Sequence, residues 1–118
     1  MARVTLLAPD LLFGSQVEGG LRAAGHDVER FDDEPAARAD AAGSQAFVVD
    51  LTSDQYDGAA LIESMKMGRE LDGVHTLGFY AHVDQETRRR AVEAGFDLVV
   101  PRSRMAREMA VLVERLAA

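Results

Sequence analysis

The sequence contains no cysteine and has no long hydrophobic run. Without cysteine there can be no disulfide bond, no thiolate metal ligand and no thiol nucleophile. The N-terminus lacks a basic region followed by an apolar stretch, and no later segment is long enough to span a bilayer, so we expect a cytoplasmic protein that does not bind membranes. The 118 residues, 47% of them hydrophobic, suit one globular domain over residues 1–118 with a single core.

Positive charge is scarce and unevenly placed. The chain has 13 lysines and arginines against 20 aspartates and glutamates, a formal net charge of −7. We therefore expect no nucleic-acid binding, which needs a basic surface. The excess acid lies in residues 1–60, around Asp32 to Glu34, whereas arginines gather at Arg88 to Arg90 and again beyond Arg102. Such charge fields affect solubility and encounter with partners more than they affect the fold.

Residues 45–51, Gln-Ala-Phe-Val-Val-Asp-Leu, form a short apolar run that ends at a carboxylate. A run this short and without alternation predicts a strand buried on both faces, as in a parallel sheet covered by helices. Further buried strands are predicted at 3–8, 74–80 and 97–100, and the alternating residues 26–31 predict a more exposed strand at a sheet edge. Apolar residues at helical spacing, with helix-breaking and capping residues at the ends, predict helices at 12–24, 35–42, 58–71, 84–94 and 103–116.

Five strands that alternate with five helices predict an α/β fold with an open parallel five-stranded sheet. Right-handed crossovers and the strand order 2-1-3-4-5 are expected for this arrangement, with a crevice above strands 1 and 3. The residue Asp50 would then lie at the carboxyl edge of the sheet, where ligands of such folds collect. We call this edge the crest.

Two motifs carry a resemblance to a known family. The first is Phe47-Val48-Val49-Asp50-Leu51 followed by Asp57-Gly58, and the second is Ala91-Val92-Glu93-Ala94-Gly95-Phe96-Asp97 before the last strand. In this order within five strand–helix units, they resemble the receiver domain of bacterial response regulators over essentially the whole chain. The resemblance implies a flavodoxin-like, receiver-like (βα)5 fold and a role in two-component signalling.

Further segments are similar to a set of short stand-alone bacterial receiver-like proteins. They are Asp10-Leu11-Leu12-Phe13, Gly78-Phe79-Tyr80-Ala81-His82-Val83-Asp84 and Arg102-Ser103. This likeness favours a degenerate receiver, called a pseudo-receiver, and adds no reaction.

Receivers accept a phosphoryl group on an aspartate, and the resemblance implies that Asp50 is at the phosphoacceptor position. The other parts of that machinery do not match. The acidic pair that binds Mg²⁺ is replaced by Ala-Pro at residues 8–9, and Asp10 comes one residue too late. The Thr/Ser position holds Tyr80 and the Lys position holds Arg102. Because a single carboxylate binds Mg²⁺ poorly, we predict no metal site and no resident cofactor, with Mg²⁺ needed only if Asp50 is phosphorylated.

The predicted strand ends gather polar side chains along the crest. One interpretation is a small polar site in which Arg102 pairs with Asp50 and imitates the phosphorylated geometry. The other is that polar loop residues simply belong there, and His82, which has no His or Cys companion, fits a loop or capping role better than a metal site. The candidate crest residues are Asp10, Asp50, Thr52, Ser53, Tyr80, His82, Arg102 and Ser103.

Three functions remain open at this point. The first is a pseudo-receiver that signals through protein–protein interaction without Mg²⁺-dependent aspartyl phosphorylation. The second is a phosphorylatable single-domain response regulator that uses Asp50. The third is a small-ligand sensor at the crest. No phosphate-binding loop or nucleophile elbow is present, so we predict no catalytic residue and no enzyme activity.

The sequence does not identify a protein partner. The resemblance implies a weak homodimer through the fourth helix, the fifth strand and the fifth helix, where mixed charges could pair across a two-fold axis. The candidate interface residues are Arg88, Arg89, Arg104 and Arg107.

Overall fold

Five strands form one parallel sheet in the computed structural model, which describes residues 1–118. The strand order is β2-β1-β3-β4-β5, as predicted. The strands are β1 (Arg3–Leu7), β2 (Asp27–Phe31), β3 (Ala46–Asp50), β4 (His75–Tyr80) and β5 (Leu98–Pro101). The helices are α1 (Leu11–Ala23), α2 (Glu34–Ala41), α3 (Gly58–Met67), α4 (Gln85–Ala94) and α5 (Arg102–Ala117). The predicted α/β fold with five strand–helix units is confirmed.

The central strand β3 is buried along its whole length. Its side chains alternate between two hydrophobic layers: Val48 packs on the side of α1 and α5, whereas Phe47 and Val49 pack on the side of α2, α3 and α4. This two-sided burial explains why the strand reads as a continuous apolar run. It also carries Asp50 to the carboxyl edge of the sheet. None of the five helices is long and apolar enough to cross a membrane.

Aspartates begin four of the five helices. In each case the side chain accepts a hydrogen bond from a backbone N–H of the first turn, which satisfies a donor that the helix leaves free. The last helix differs: it begins at Arg102 after Pro101, without a side-chain cap. The helix thus begins one residue before the predicted Ser103, whose hydroxyl does not cap it. The four capping residues are Asp10, Asp33, Asp57 and Asp84.

The end of α3 lies four residues before the predicted one. The helix stops at Met67, and Arg69 takes a left-handed conformation with φ 58°. The Arg69 N–H then donates to the Lys66 carbonyl at 3.1 Å, and the Glu70 N–H donates to the Met65 carbonyl at 2.9 Å. These two bonds form a Schellman motif, which needs a left-handed residue at that point.

Two other helices end in the same motif but with glycine in the left-handed position. Gly25 follows α1 with φ 93°, and Gly95 follows α4 with φ 103°. In α3 the glycine comes one residue early, since Gly68 has φ −82° and Arg69 bears the strain. A side chain in the left-handed region costs roughly 1–2 kcal/mol.

We expect the substitution Arg69→Gly to raise the free energy of unfolding relative to Arg69→Ala, by about 1 kcal/mol. Both variants remove the side chain and its 3.9 Å contact with Asp72, so their difference reports the relief of backbone strain less the extra entropy that glycine has in the unfolded chain. Urea unfolding monitored by circular dichroism measures it. A glycine variant that is less stable than the alanine variant, by the roughly 0.5–1 kcal/mol that glycine costs at an unstrained position, would show that Arg69 bears no strain.

Candidate functional site

The carboxyl group of Asp50 is the most buried polar group at the crest. The residue is 1% exposed. One oxygen, Oδ1, accepts hydrogen bonds from the Thr52 N–H at 2.8 Å and from the Thr52 hydroxyl at 2.6 Å. No protein group donates to the other oxygen, Oδ2. The side chain lines a polar cleft of about 370 Å³, whose walls are Pro9, Asp10, Asp50, Thr52, Ser53, Asp54 and Gln55.

Burial raises the pKa of the Asp50 carboxyl above its ordinary value, because desolvation disfavours the charged form. The two hydrogen bonds from Thr52 oppose this rise, since they stabilise the carboxylate. The charge of Arg102 also lowers the pKa, whereas the charge of Asp10 raises it. Desolvation is the largest of these effects, so the cleft leaves Asp50 only partly compensated.

Arg102 pairs with Asp10 and not with Asp50. Its Nη2 lies 3.1 Å from Oδ2 of Asp10, and its guanidinium lies 4.3 Å from the centre of the Phe13 ring. The predicted Arg102–Asp50 ion pair is therefore wrong. The reason is local: Asp10 is held at the start of α1, and Phe13 offers the flat face on which a guanidinium stacks.

The residues at the crest do not fit a Mg²⁺ site. Asp10 has no free oxygen: its Oδ1 accepts from the backbone N–H groups of Leu12 at 3.0 Å and Phe13 at 3.3 Å, and its Oδ2 accepts from Arg102. Residues 8–9 have no side-chain oxygen. Mg²⁺ requires near-octahedral oxygen ligands that include one or two carboxylates, and no group of three or more acidic or histidine side chains is arranged to hold a metal.

The other candidate crest residues do not converge on the cleft. Tyr80 ends β4 and is 4% exposed. His82 is exposed in the loop between β4 and α4, where its carbonyl accepts from Gln85 at 2.7 Å. Ser103 is exposed in the first turn of α5. Of the predicted set, the cleft brings together Asp10, Asp50, Thr52 and Ser53.

Sequence reasoning missed Tyr56, which closes the loop between β3 and α3. Its hydroxyl donates to the Asp50 backbone carbonyl at 2.5 Å and lies 3.4 Å from the Leu7 carbonyl. Burial raises the pKa of this hydroxyl far above its ordinary value, helped by the charges of Asp50 and Glu34. Tyr56 thus ties the ends of β1 and β3 together. An aromatic residue in an otherwise polar loop is the signal that could have revealed it.

The four candidate interface arginines differ in the ion pairs that they form within the protein. Arg88 makes no ion pair within the protein, and the other three contact acids of their own helix. Arg89 pairs with Glu86 and Glu93, Arg104 lies 3.4 Å from Glu108, and Arg107 lies 3.9 Å from Glu108.

Solved receiver-domain structures are similar to nearly the whole chain. The signal receiver domain of a response regulator from Bermanella marisrubri has a TM-score of 0.89 at 17% identity, with 98% of each chain covered. The receiver domain of the Francisella response regulator 1452 has a TM-score of 0.85 at 15% identity, covering 99% of this chain and 97% of that one. The chemotaxis protein CheY4 of Vibrio cholerae has a TM-score of 0.83 at 17% identity, with 98% of each chain covered.

No protein-family model matches the sequence, and no curated protein matches it. Because these solved structures are only 15% to 17% identical to the chain, their similarity establishes the fold alone. The chain has the fold of a response-regulator receiver domain, and the resemblance seen in the sequence is confirmed at that level.

We expect Asp50→Asn to raise the free energy of unfolding near neutral pH. The carboxyl has a raised pKa in the folded protein, so its ionisation destabilises the fold, and the neutral amide avoids this cost while its oxygen still accepts from Thr52. The gain should be complete above the folded pKa and should be lost as the pH falls toward the ordinary value of 3.8. Denaturant unfolding of both proteins between pH 7 and pH 3.5 measures it.

The matched control is Asp54→Asn, which removes an exposed carboxylate from the same loop. This change should alter stability by less than about 0.5 kcal/mol. A wild-type protein that is more stable than Asp50→Asn at pH 7 would show that the hydrogen bonds of Thr52 outweigh desolvation.

Proposed function

We propose that this protein is a signalling module with the receiver fold that acts through protein–protein contacts and not through Mg²⁺-dependent phosphorylation of Asp50. The receiver fold over the whole chain supports the signalling role. One observation carries the claim that Asp50 is not phosphorylated with the help of Mg²⁺. Both carboxylate oxygens of Asp10 are already hydrogen-bonded, one to backbone N–H groups at the start of α1 and the other to Arg102.

Phosphoryl transfer to Asp50 would need neutralisation of charge on the incoming group, which receivers obtain from Mg²⁺ and a lysine. In this cleft only one buried carboxylate oxygen is free, and the residue at the lysine position is turned to Asp10. Asp10 therefore has no oxygen left for Mg²⁺, and Arg102 is held by Asp10. A module without phosphorylation at Asp50 transmits a signal through the protein that it binds or through its own concentration in the cell.

The phosphorylatable regulator is the second candidate. Two observations favour it: Asp50 lies at the end of the central strand with Oδ2 free, and the charge of Arg102 is close enough to lower its pKa. Under this alternative Arg102 would leave Asp10 when the phosphoryl group arrives.

Exposure of the protein to acetyl phosphate and Mg²⁺ separates the two candidates. We expect no increase in intact mass and no Mg²⁺- or beryllofluoride-dependent change in the amide NMR signals of residues 50–58, because the metal lacks ligands. The control is a double variant, Ala8→Asp with Pro9→Asp, which restores the acidic pair and should increase Mg²⁺ affinity. A phosphoryl adduct on the wild-type protein that disappears in Asp50→Asn would refute the proposal.

We also propose that a weak homodimer forms through α4, β5 and α5. Among the four candidate interface arginines, Arg88 is the one that forms no ion pair within its own chain, so it is the one most available to an acid of the second copy. Val92 and Val111, which are 50% and 46% exposed, add apolar area to the exposed sides of α4 and α5.

The dimer should weaken at high salt, because charge pairs at the surface are screened over about 8 Å at physiological ionic strength. Light scattering at low and high salt tests this expectation. Arg88→Glu should reduce the dimer more than Arg89→Glu, because Arg89 is already paired with two acids of its own helix. A monomer at every concentration would remove the dimer from the proposal.

A further inference from the structure

The cleft at the crest contains a buried carboxylate with one oxygen that nothing in the protein engages. Asp50 is 99% buried as a residue, and both donors that it receives, the N–H and the hydroxyl of Thr52, point to Oδ1. Its Oδ2 accepts from no group of the protein and stays accessible from the cleft, which has no hydrophobic lining residue. A buried carboxylate without a cation or a full set of donors is costly. The geometry therefore favours a ligand that brings positive charge and a hydrogen-bond donor.

The arrangement of the two oxygens decides which cation fits. A guanidinium binds a carboxylate best through two parallel hydrogen bonds, one to each oxygen, but Oδ1 already has both of the donors from Thr52. Mg²⁺ is disfavoured, because Asp10 is engaged and no three acidic or histidine side chains are arranged to hold a metal together. An ammonium is a compact point charge whose three donors can reach separate acceptors, and it needs only one free carboxylate oxygen.

We propose that the cleft binds a primary ammonium group, which donates one hydrogen bond to Oδ2 of Asp50. The other two ammonium protons face a lining rich in oxygen acceptors, namely the side chains of Ser53, Asp54 and Gln55. The ligand is either a small free amine or the lysine side chain of a protein partner. This inference rests on the proposed function, since it supplies from outside the positive charge that the cleft lacks.

The test is a titration of the ¹⁵N-labelled protein with propylammonium at pH 7 and constant ionic strength. We expect a saturable shift of the Thr52 amide signal, because that N–H donates to the carboxylate which the ligand engages. Tetramethylammonium has the same charge but no donor and should cause no saturable shift. Propylguanidinium should bind more weakly than propylammonium.

Two variants of equal charge change supply the matched controls. Asp50→Asn should weaken binding at least about tenfold, since it removes the charge that the ammonium meets. Glu63→Gln removes an exposed carboxylate of α3 outside the cleft and should leave binding unchanged. The ¹³Cγ signal of Asp50 gives a direct second readout in the wild-type protein. An equal response to tetramethylammonium, stronger binding of the guanidinium, or undiminished binding by Asp50→Asn would each overturn the inference.

Two further probes distinguish the sources of the ammonium. Tighter binding of 1,4-diaminobutane than of Nα-acetyl-lysine methylamide indicates a free amine, and the reverse order indicates a lysine side chain. The inference and the proposed function are refuted by different experimental results. Phosphoryl transfer to Asp50 in Mg²⁺ refutes the proposed function, whereas the lack of saturable ammonium binding refutes this inference and leaves a phosphorylation-independent module intact.

Discussion

The burial of the Asp50 carboxylate is the constraint on which the crest depends. Because β3 is covered by helices on both faces, its last side chain is almost wholly removed from bulk water. The surrounding chain compensates for part of the resulting desolvation. Thr52 turns back to donate twice to Oδ1, and Tyr56 donates to the backbone carbonyl of the same residue. The path of the loop between β3 and α3 follows from these three hydrogen bonds, so the loop geometry and the charge of Asp50 are coupled.

A second carboxylate at the crest is neutralised in a different way. Asp10 caps α1, where the positive end of the helix dipole favours an anion, and it also accepts from Arg102. The guanidinium of Arg102 is held in turn by the ring of Phe13, whose centroid lies 5.2 Å from that of Phe79 in the core. The pair is therefore anchored to the hydrophobic layer under α1 and α5. Since Arg102, the cation whose charge acts on Asp50, is fixed there, it cannot pair with Asp50 without breaking this arrangement.

The elements of the fold could be predicted from the sequence because each rests on a local pattern. The apolar run that ends at Asp50 indicates a two-sided buried strand, and Asp84 and Gly95 mark the two ends of α4 correctly. The partner of Arg102 could not be predicted from the sequence. Arg102, Asp10 and Asp50 all lie where strands of the parallel sheet end, so Arg102 is near both aspartates, and only the three-dimensional position of Phe13 decides which aspartate it contacts. The end of α3 was missed because Arg69 takes a conformation that its residue type disfavours and that glycine normally adopts.

The distribution of ion pairs limits what the surface can bind. Of the thirteen cationic side chains, only Lys66, Arg88 and Arg115 form no ion pair within the protein, whereas the net charge of −7 leaves an excess of acids. Two copies of such a chain repel each other at long range, which keeps self-association weak even where local charges match. A cationic partner is attracted by the same field. The long-range electrostatics and the free oxygen of Asp50 thus favour the same class of partner, one that brings positive charge to the crest.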